Sequence, residues 1–198
     1  MKRILIDGSF VSKRVTGVQR FNWEVLKELV TYDDVDWAIA VSEDTNTDEL
    51  RFDNLKIIKK GKKNNKFWQF FTLAKIAKKE KRELLCMSNL SPLFKKDYLV
   101  LHDVTFLDKG GNNSFFWAIK YRIFVSFGIN RFKKIFTVSE FSKNRILSHY
   151  KSVKESDVIV VYNGGDHLEK VGISKPKFEI PNKYYLAVGS TTKNKNFQ

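Results

Sequence analysis

The chain has 198 residues, with 36 Lys and Arg against 22 Asp and Glu and a formal net charge of +14. Its 42% hydrophobic and 14% aromatic content supplies a packed core and excludes disorder of the low-hydrophobicity, high-charge kind. A single cysteine, Cys86, excludes a disulfide-stapled scaffold, and no uncharged stretch approaches the roughly 20 residues that span a bilayer.

The apolar run in Met1–Gly8 is too short for a secretory h-region, so the expected setting is cytoplasmic, soluble or peripheral at the inner face of the plasma membrane. Arg3–Asp7 reads as a first strand. Gly17–Tyr32 reads as a helix with Val18, Phe21, Val25, Leu26 and Leu29 on one stripe. Trp37–Val41 and Leu55–Ile58 read as strands on either side of an acidic loop. Residues 33–53 hold eight acids and one base, Arg51, whereas residues 59–82 hold ten bases and one acid, Glu80. Such a basic block is either a solvated lysine face or a partner surface for phosphate groups. Within it, Phe67–Lys81 is predicted as a basic amphipathic helix.

Glu83–Met87 is the next strand, Asn89–Pro92 a turn, and Tyr98–His102 a further strand. Ser114–Phe132 is predicted as a helix, Ile135–Val138 as a strand, and Glu140–Tyr150 as a helix with Ser139 as its N-cap. Val158–Val161 and Tyr184–Val188 complete the strands. Runs such as Ile-Leu-Ile and Val-Ile-Val-Val suit strands buried on both faces. Interleaved with helices, they predict an α/β, Rossmann-like parallel sheet with helices on both faces. Sheets of that kind bind ligands beyond the carboxyl ends of their strands.

At those ends, Thr16-Gly17-Val18-Gln19-Arg20 enters a helix. The glycine there opens the backbone N–H groups to a phosphate or hydroxyl, although a plain helix start has the same residues. His102-Asp103 closes a strand. The histidine is placed to exchange protons or bind a sugar hydroxyl; the alternative is an imidazole satisfied by a backbone carbonyl, with Asp103 capping the next turn. Ser139 is explained by helix capping alone, and Asn163-Gly164-Gly165 by a tight turn. Lys193 and Lys195 follow the last strand, where they suit a diphosphate. His149 and His167 have no companions at metal-ligand spacing.

The ordered set Thr16-Gly17-Val18-Gln19-Arg20-Phe21, Phe67-Trp68-Gln69, Ser91-Pro92, Leu101-His102-Asp103, Thr137-Val138-Ser139-Glu140-Phe141-Ser142-Lys143, Asn163-Gly164-Gly165-Asp166, Val188-Gly189-Ser190 and Lys195-Asn196 resembles the N-terminal half of family-4 glycosyltransferases. These are of GT-B type, in the mannosyltransferase-like branch. The resemblance implies retaining transfer of a sugar from a nucleotide-sugar donor to a glycan or lipid-linked acceptor in cell-surface polysaccharide synthesis. It also implies no metal and no cofactor, the nucleotide-sugar being a substrate.

By the same resemblance His102 is the catalytic-cleft histidine, and Thr16, Gly17, Arg20, Asp103, Ser139 and Asn163 join Lys195 in binding substrate. Lys195 matches the base that stabilises the leaving diphosphate. Two departures stand out: Asn194 occupies a position that is often Arg, and the paired-glutamate motif of the family is not present. The expected organisation is therefore an acceptor-side domain over residues 1–180. Residues 181–198 are expected to begin a truncated nucleotide-sugar domain, the whole being inactive alone.

The other class of function is a non-catalytic basic α/β module that holds an anionic membrane surface or nucleic acid. Nucleic acid is not the expected partner, because the sequence lacks the aromatic pairs of an RRM and the glycine loop of a KH domain. The aromatics Phe67, Trp68, Phe70 and Phe71 lie at helical spacing, which suits core packing or an interfacial membrane contact.

Overall fold

The short apolar runs alternate side chains between two faces, and each face finds its own core. In the computed structural model, which describes residues 1–107, 125, 128–168, 179, 181 and 183–185, the strands are β1 (Lys2–Asp7), β2 (Val35–Val41), β3 (Leu55–Lys59), β4 (Glu83–Cys86), β5 (Tyr98–Val100), β6 (Lys134–Thr137) and β7 (Val158–Val160). They form one seven-stranded parallel sheet in the order β3-β2-β1-β4-β5-β6-β7. The chain leaves β1 in one direction for β2 and β3, then returns to the other side of β1 for β4. The ends of β1 and β4 therefore flank a topological switch point, where open α/β sheets bind ligands.

Helix α1 (Gly17–Leu29) covers one face, with Trp23 and Leu26 packed among Ile4, Ile6, Trp37, Ile39 and Val41. Helices α2 (Leu73–Lys79) and α3 (Glu140–His149) cover the other, through Leu73, Ile76, Ala77 and Ile146 against Leu5, Ala38, Ala40, Leu84 and Leu99. This is the predicted α/β, Rossmann-like arrangement. Among the described residues no helix is long and apolar enough to cross a membrane.

Four local expectations are corrected. Helix α1 ends at Leu29 rather than Tyr32, and the residues it buries most deeply are Asn22, Trp23 and Leu26. Of the predicted stripe, Phe21, Val25 and Leu29 are only partly buried. The Phe67–Lys81 element contains a π-helical turn, Trp68–Thr72, before α2 begins. That wider turn buries Trp68, Gln69 and Phe70 in succession, which a regular amphipathic period does not allow. The strand predicted to reach His102 ends at Val100. Finally, the helix predicted to run to Phe132 does not: Gly128 is left-handed at φ 74° and Phe132 is extended. Most of that helix, residues 186–188 of the last predicted strand, and Lys193 and Lys195 lie outside the described residues. Tyr184 and Tyr185 are exposed and belong to no strand.

Gly8, directly after β1, is required by packing. A Cβ there would lie 2.5 Å from the Ala40 carbonyl oxygen and 2.6 Å from Val41 Cγ1. The close approach lets the chain turn off β1 tightly against β2, which sends the 8–16 loop over the carboxyl edge of the sheet.

Candidate functional site at the carboxyl edge of the sheet

A buried polar cluster anchors that loop. Asp7 is fully buried, and its carboxylate accepts hydrogen bonds from Ser9 N (2.9 Å) and Gln69 Nε2 (3.3 Å). Gln69 Nε2 also reaches Ser9 Oγ at 2.6 Å, and Asn64 Nδ2 donates to Ser9 O (2.6 Å) and Ser12 Oγ (2.7 Å). Burial raises the Asp7 carboxyl above its ordinary value against the opposing pull of these donors. The π-helical turn presents Gln69 here, so a distortion of the helix serves a hydrogen bond at the rim.

Helix α1 begins at the end of this loop. Thr16 has extended backbone, but its hydroxyl bonds the Gln19 side chain and makes no capping bond to the helix backbone. The first turn holds no acid. The N–H end of a 13-residue helix thus has no side-chain cap and retains its partial positive charge. Among the described residues, a Cβ added at Gly17 would meet nothing within 4 Å. The glycine is not demanded by internal packing, in contrast to Gly8.

Gly17, Arg20, Phe21, Glu24 and Val25 form one wall of a cavity of about 650 Å³, and Val161, Tyr162, Asn163, Gly164 and Asp166 contribute to the other. The half-buried column Phe21–Val25–Leu29 gives the cavity its apolar side. Arg20 gives a cation, within 3.5 Å of Glu24. Three of the predicted site residues, Gly17, Arg20 and Asn163, therefore share one cavity.

His102 lies behind Phe21. The two rings meet edge-to-face with centroids 4.7 Å apart. Its Nε2 lies 3.3 Å from Met87 O, its N–H donates to Asn89 Oδ1 (2.7 Å), and its carbonyl accepts from Ser142 Oγ (3.0 Å). Asn89 is left-handed at φ 58°, a conformation asparagine tolerates. Burial holds the imidazole below its ordinary pKa against the Met87 carbonyl and Asp103. A carbonyl partner fixes the proton on Nε2, so Nδ1 carries the lone pair of a neutral ring. That nitrogen is equipped to accept a hydrogen bond from a hydroxyl.

Asn22 joins α1 to this group. With its amide nitrogen toward Met87 O (2.8 Å), its oxygen accepts from Ser88 Oγ at 3.0 Å. The backbone carbonyl of Met87 thereby serves both α1 and His102. Ser139 caps α3, its Oγ accepting from Ser142 N at 3.1 Å, and Ser142 is the residue that bonds the His102 carbonyl. Asp103 accepts from Thr105 N (3.1 Å) and Thr105 Oγ1 (2.8 Å), the capping role that the sequence left open for it.

Phe21, Asn22, Met87 and Asn89 are the members that motif reading did not assign to the site. Among the described residues no group of three or more His, Cys, Asp or Glu is arranged to hold a metal ion.

These features define a Rossmann-like α/β protein whose sheet edge carries an open helix N-terminus, a cavity and a half-buried histidine. No protein-family model matches the chain, and no curated protein matches it.

Proposed function

We propose that the chain is the acceptor-side domain of a retaining glycosyltransferase that uses a nucleotide-sugar donor and a glycan or lipid-linked acceptor. In such a transfer the bond from the anomeric carbon to the donor phosphate breaks, and the nucleoside diphosphate leaves with its electrons. The acceptor oxygen bonds the same carbon on the same face and passes its proton to the departing diphosphate oxygen. The negative charge that develops on the leaving group needs preorganised donors. The uncapped N–H groups of α1 and the Arg20 guanidinium are of the right kind, and Lys195 would add a cation by the family resemblance. His102 accepts a sugar hydroxyl through Nδ1 and orients it, which narrows the approach geometry.

The observation that carries this reading is Gly17. It has no internal steric reason to be glycine, and it sits on the wall of a cavity with Arg20 and Asn163. A glycine left open on one side admits a ligand to the backbone. The ordered motifs support the sugar chemistry.

The test is amide chemical-shift mapping of the labelled chain, with oligosaccharides and nucleotide-sugars titrated separately into the millimolar range. Shifts centred on Gly17, Arg20 and Asn163 are expected with a nucleotide-sugar and shifts beside His102 with an oligosaccharide, weakened in Gly17→Ala and His102→Ala respectively. Absence of shifts at these three residues with every sugar tested would overturn the reading.

A further inference from the structure

The ten bases of residues 59–82 are nine lysines and one arginine. The arginine, Arg82, is buried and locked to the Asp36 carboxylate at 2.7 and 2.8 Å. The one acid of the block, Glu80, is held by Lys56 at 3.0 Å. The exposed charge of this segment is therefore entirely lysine. Among the described residues Lys62, Lys63, Lys75, Lys78 and Lys81 form no ion pair.

The same segment carries an apolar protrusion. Phe67 is 67% exposed, and its ring leans on the half-buried Phe71 ring with centroids 4.9 Å apart. Phe67, Phe71, Lys75 and Lys78 are spaced by four, four and three residues, one outer stripe opposite the buried Leu73, Ile76 and Ala77. The positive surface continues beyond the end of α2. Lys78 and Lys81 line a cleft with Lys95 and Lys133, where Asp97 and Glu83 are already paired with Lys95 and Lys133.

We propose that this α2 face docks on an anionic bilayer, with Phe67 inserted at the headgroup boundary and the lysines against lipid phosphates. Exposed aromatic residues flanked by lysine on one helical face are the pattern of an interfacial contact. Lysine is a point charge without the planar fork that reads bases or stacks on them. The two phenylalanines lie tilted at 38° along a helical segment rather than side by side on a sheet, the platform on which bases stack. Both features favour lipid over nucleic acid. The proposal stands apart from the transferase reading, because its residues lie outside the cavity and its readout is lipid binding.

The experiment is sedimentation of the chain with vesicles of phosphatidylcholine alone or mixed with phosphatidylglycerol, alongside titration of a single-stranded RNA. Binding to the anionic vesicles only, lost at high salt, is expected. The double variant Lys75→Ala, Lys78→Ala should bind about thirtyfold more weakly, since each lysine near such a surface contributes about 1 kcal/mol. In Phe67→Trp, the emission gained over the parent chain should shift to the blue on anionic vesicles and be quenched by brominated acyl chains. Circular dichroism matching the parent establishes that these surface variants fold. Equal binding to neutral vesicles, no binding to either kind, or tighter binding to RNA than to anionic vesicles would each overturn the proposal. So would emission gained in Phe67→Trp that brominated acyl chains leave unquenched.

Discussion

The Phe21 ring stands against the His102 imidazole at 4.7 Å and 86°, so a residue of the first helix packs on a residue just beyond the end of the fifth strand. Phe21 lines the cavity and also packs on the imidazole, whose pKa burial holds below its ordinary value.

A folded-state pKa below the ordinary 6.5 of histidine means that protonation is easier in the unfolded chain. The resulting loss of stability is absent well above the unfolded value and grows as pH falls through it toward the folded value. Phe21→Ala should open the ring to water and move the His102 pKa upward. The measurement is the pH titration of the His102 ring proton by NMR in both chains. The same variant should lose about 1 kcal/mol of stability with the edge-to-face contact.

Asp7 has the opposite sign. Burial raises its carboxyl, so its contribution to stability is greatest at low pH and declines as pH rises from the unfolded through the folded value. Asp7→Asn keeps an acceptor for Ser9 N and, with the Gln69 amide turned over, a donor for Gln69. It should flatten that pH dependence while staying within about 1 kcal/mol of the parent at neutral pH. Asp7→Ala leaves Ser9 N and Gln69 without this partner and should cost about 2 kcal/mol. Urea denaturation at several pH values checks both.

Two glycines separate structure from function. Gly8→Ala forces a Cβ against the Ala40 carbonyl at 2.5 Å and should cost about 3 kcal/mol through overpacking. Gly17→Ala meets nothing within 4 Å among the described residues and should be stabilising by about 0.5 kcal/mol through the unfolded chain. The two thermal midpoints should therefore move in opposite directions, whereas ligand shifts in the cavity should weaken in Gly17→Ala.

At the other end of the sheet, Arg82 reaches Asp36 with two bonds and donates to the carbonyls of Asp36 (2.5 Å) and Ile4 (3.4 Å). Hydrogen bonds from Arg82, aided by Arg3, hold the Asp36 carboxyl below its ordinary value. That stabilisation is present above the unfolded carboxylate pKa and is lost as pH falls through the folded one. Arg82→Met should cost about 2 kcal/mol at neutral pH through the lost charged hydrogen bonds. The difference from the parent should narrow in acid, as read by denaturant unfolding at both conditions.

The strand order along the chain and the position of the candidate site at strand ends were legible in the sequence. Apolar runs, helix caps and glycine turns are local signals, and a run buried on both faces reads the same wherever its neighbours lie. Ser139 as the cap of α3 is such a case, since its partner is three residues away. Gly17, Arg20 and Asn163 were each marked by a loop at a strand end, and a parallel sheet brings all such ends to one edge.

What the tertiary structure decided was which polar groups pair across that edge. Asp7 and Gln69 are 62 positions apart, Asn22 and Ser88 are 66, and His102 and Ser142 are 40. No periodicity encodes those partners, because they follow from the requirement that buried donors and acceptors be satisfied once the strands are in place. The same requirement selected the Asn22 side of α1 for the sheet and left Phe21, Val25 and Leu29 to wall the cavity. It also accounts for the π-helical turn, which carries Gln69 inward to Asp7 while Phe67 is left exposed.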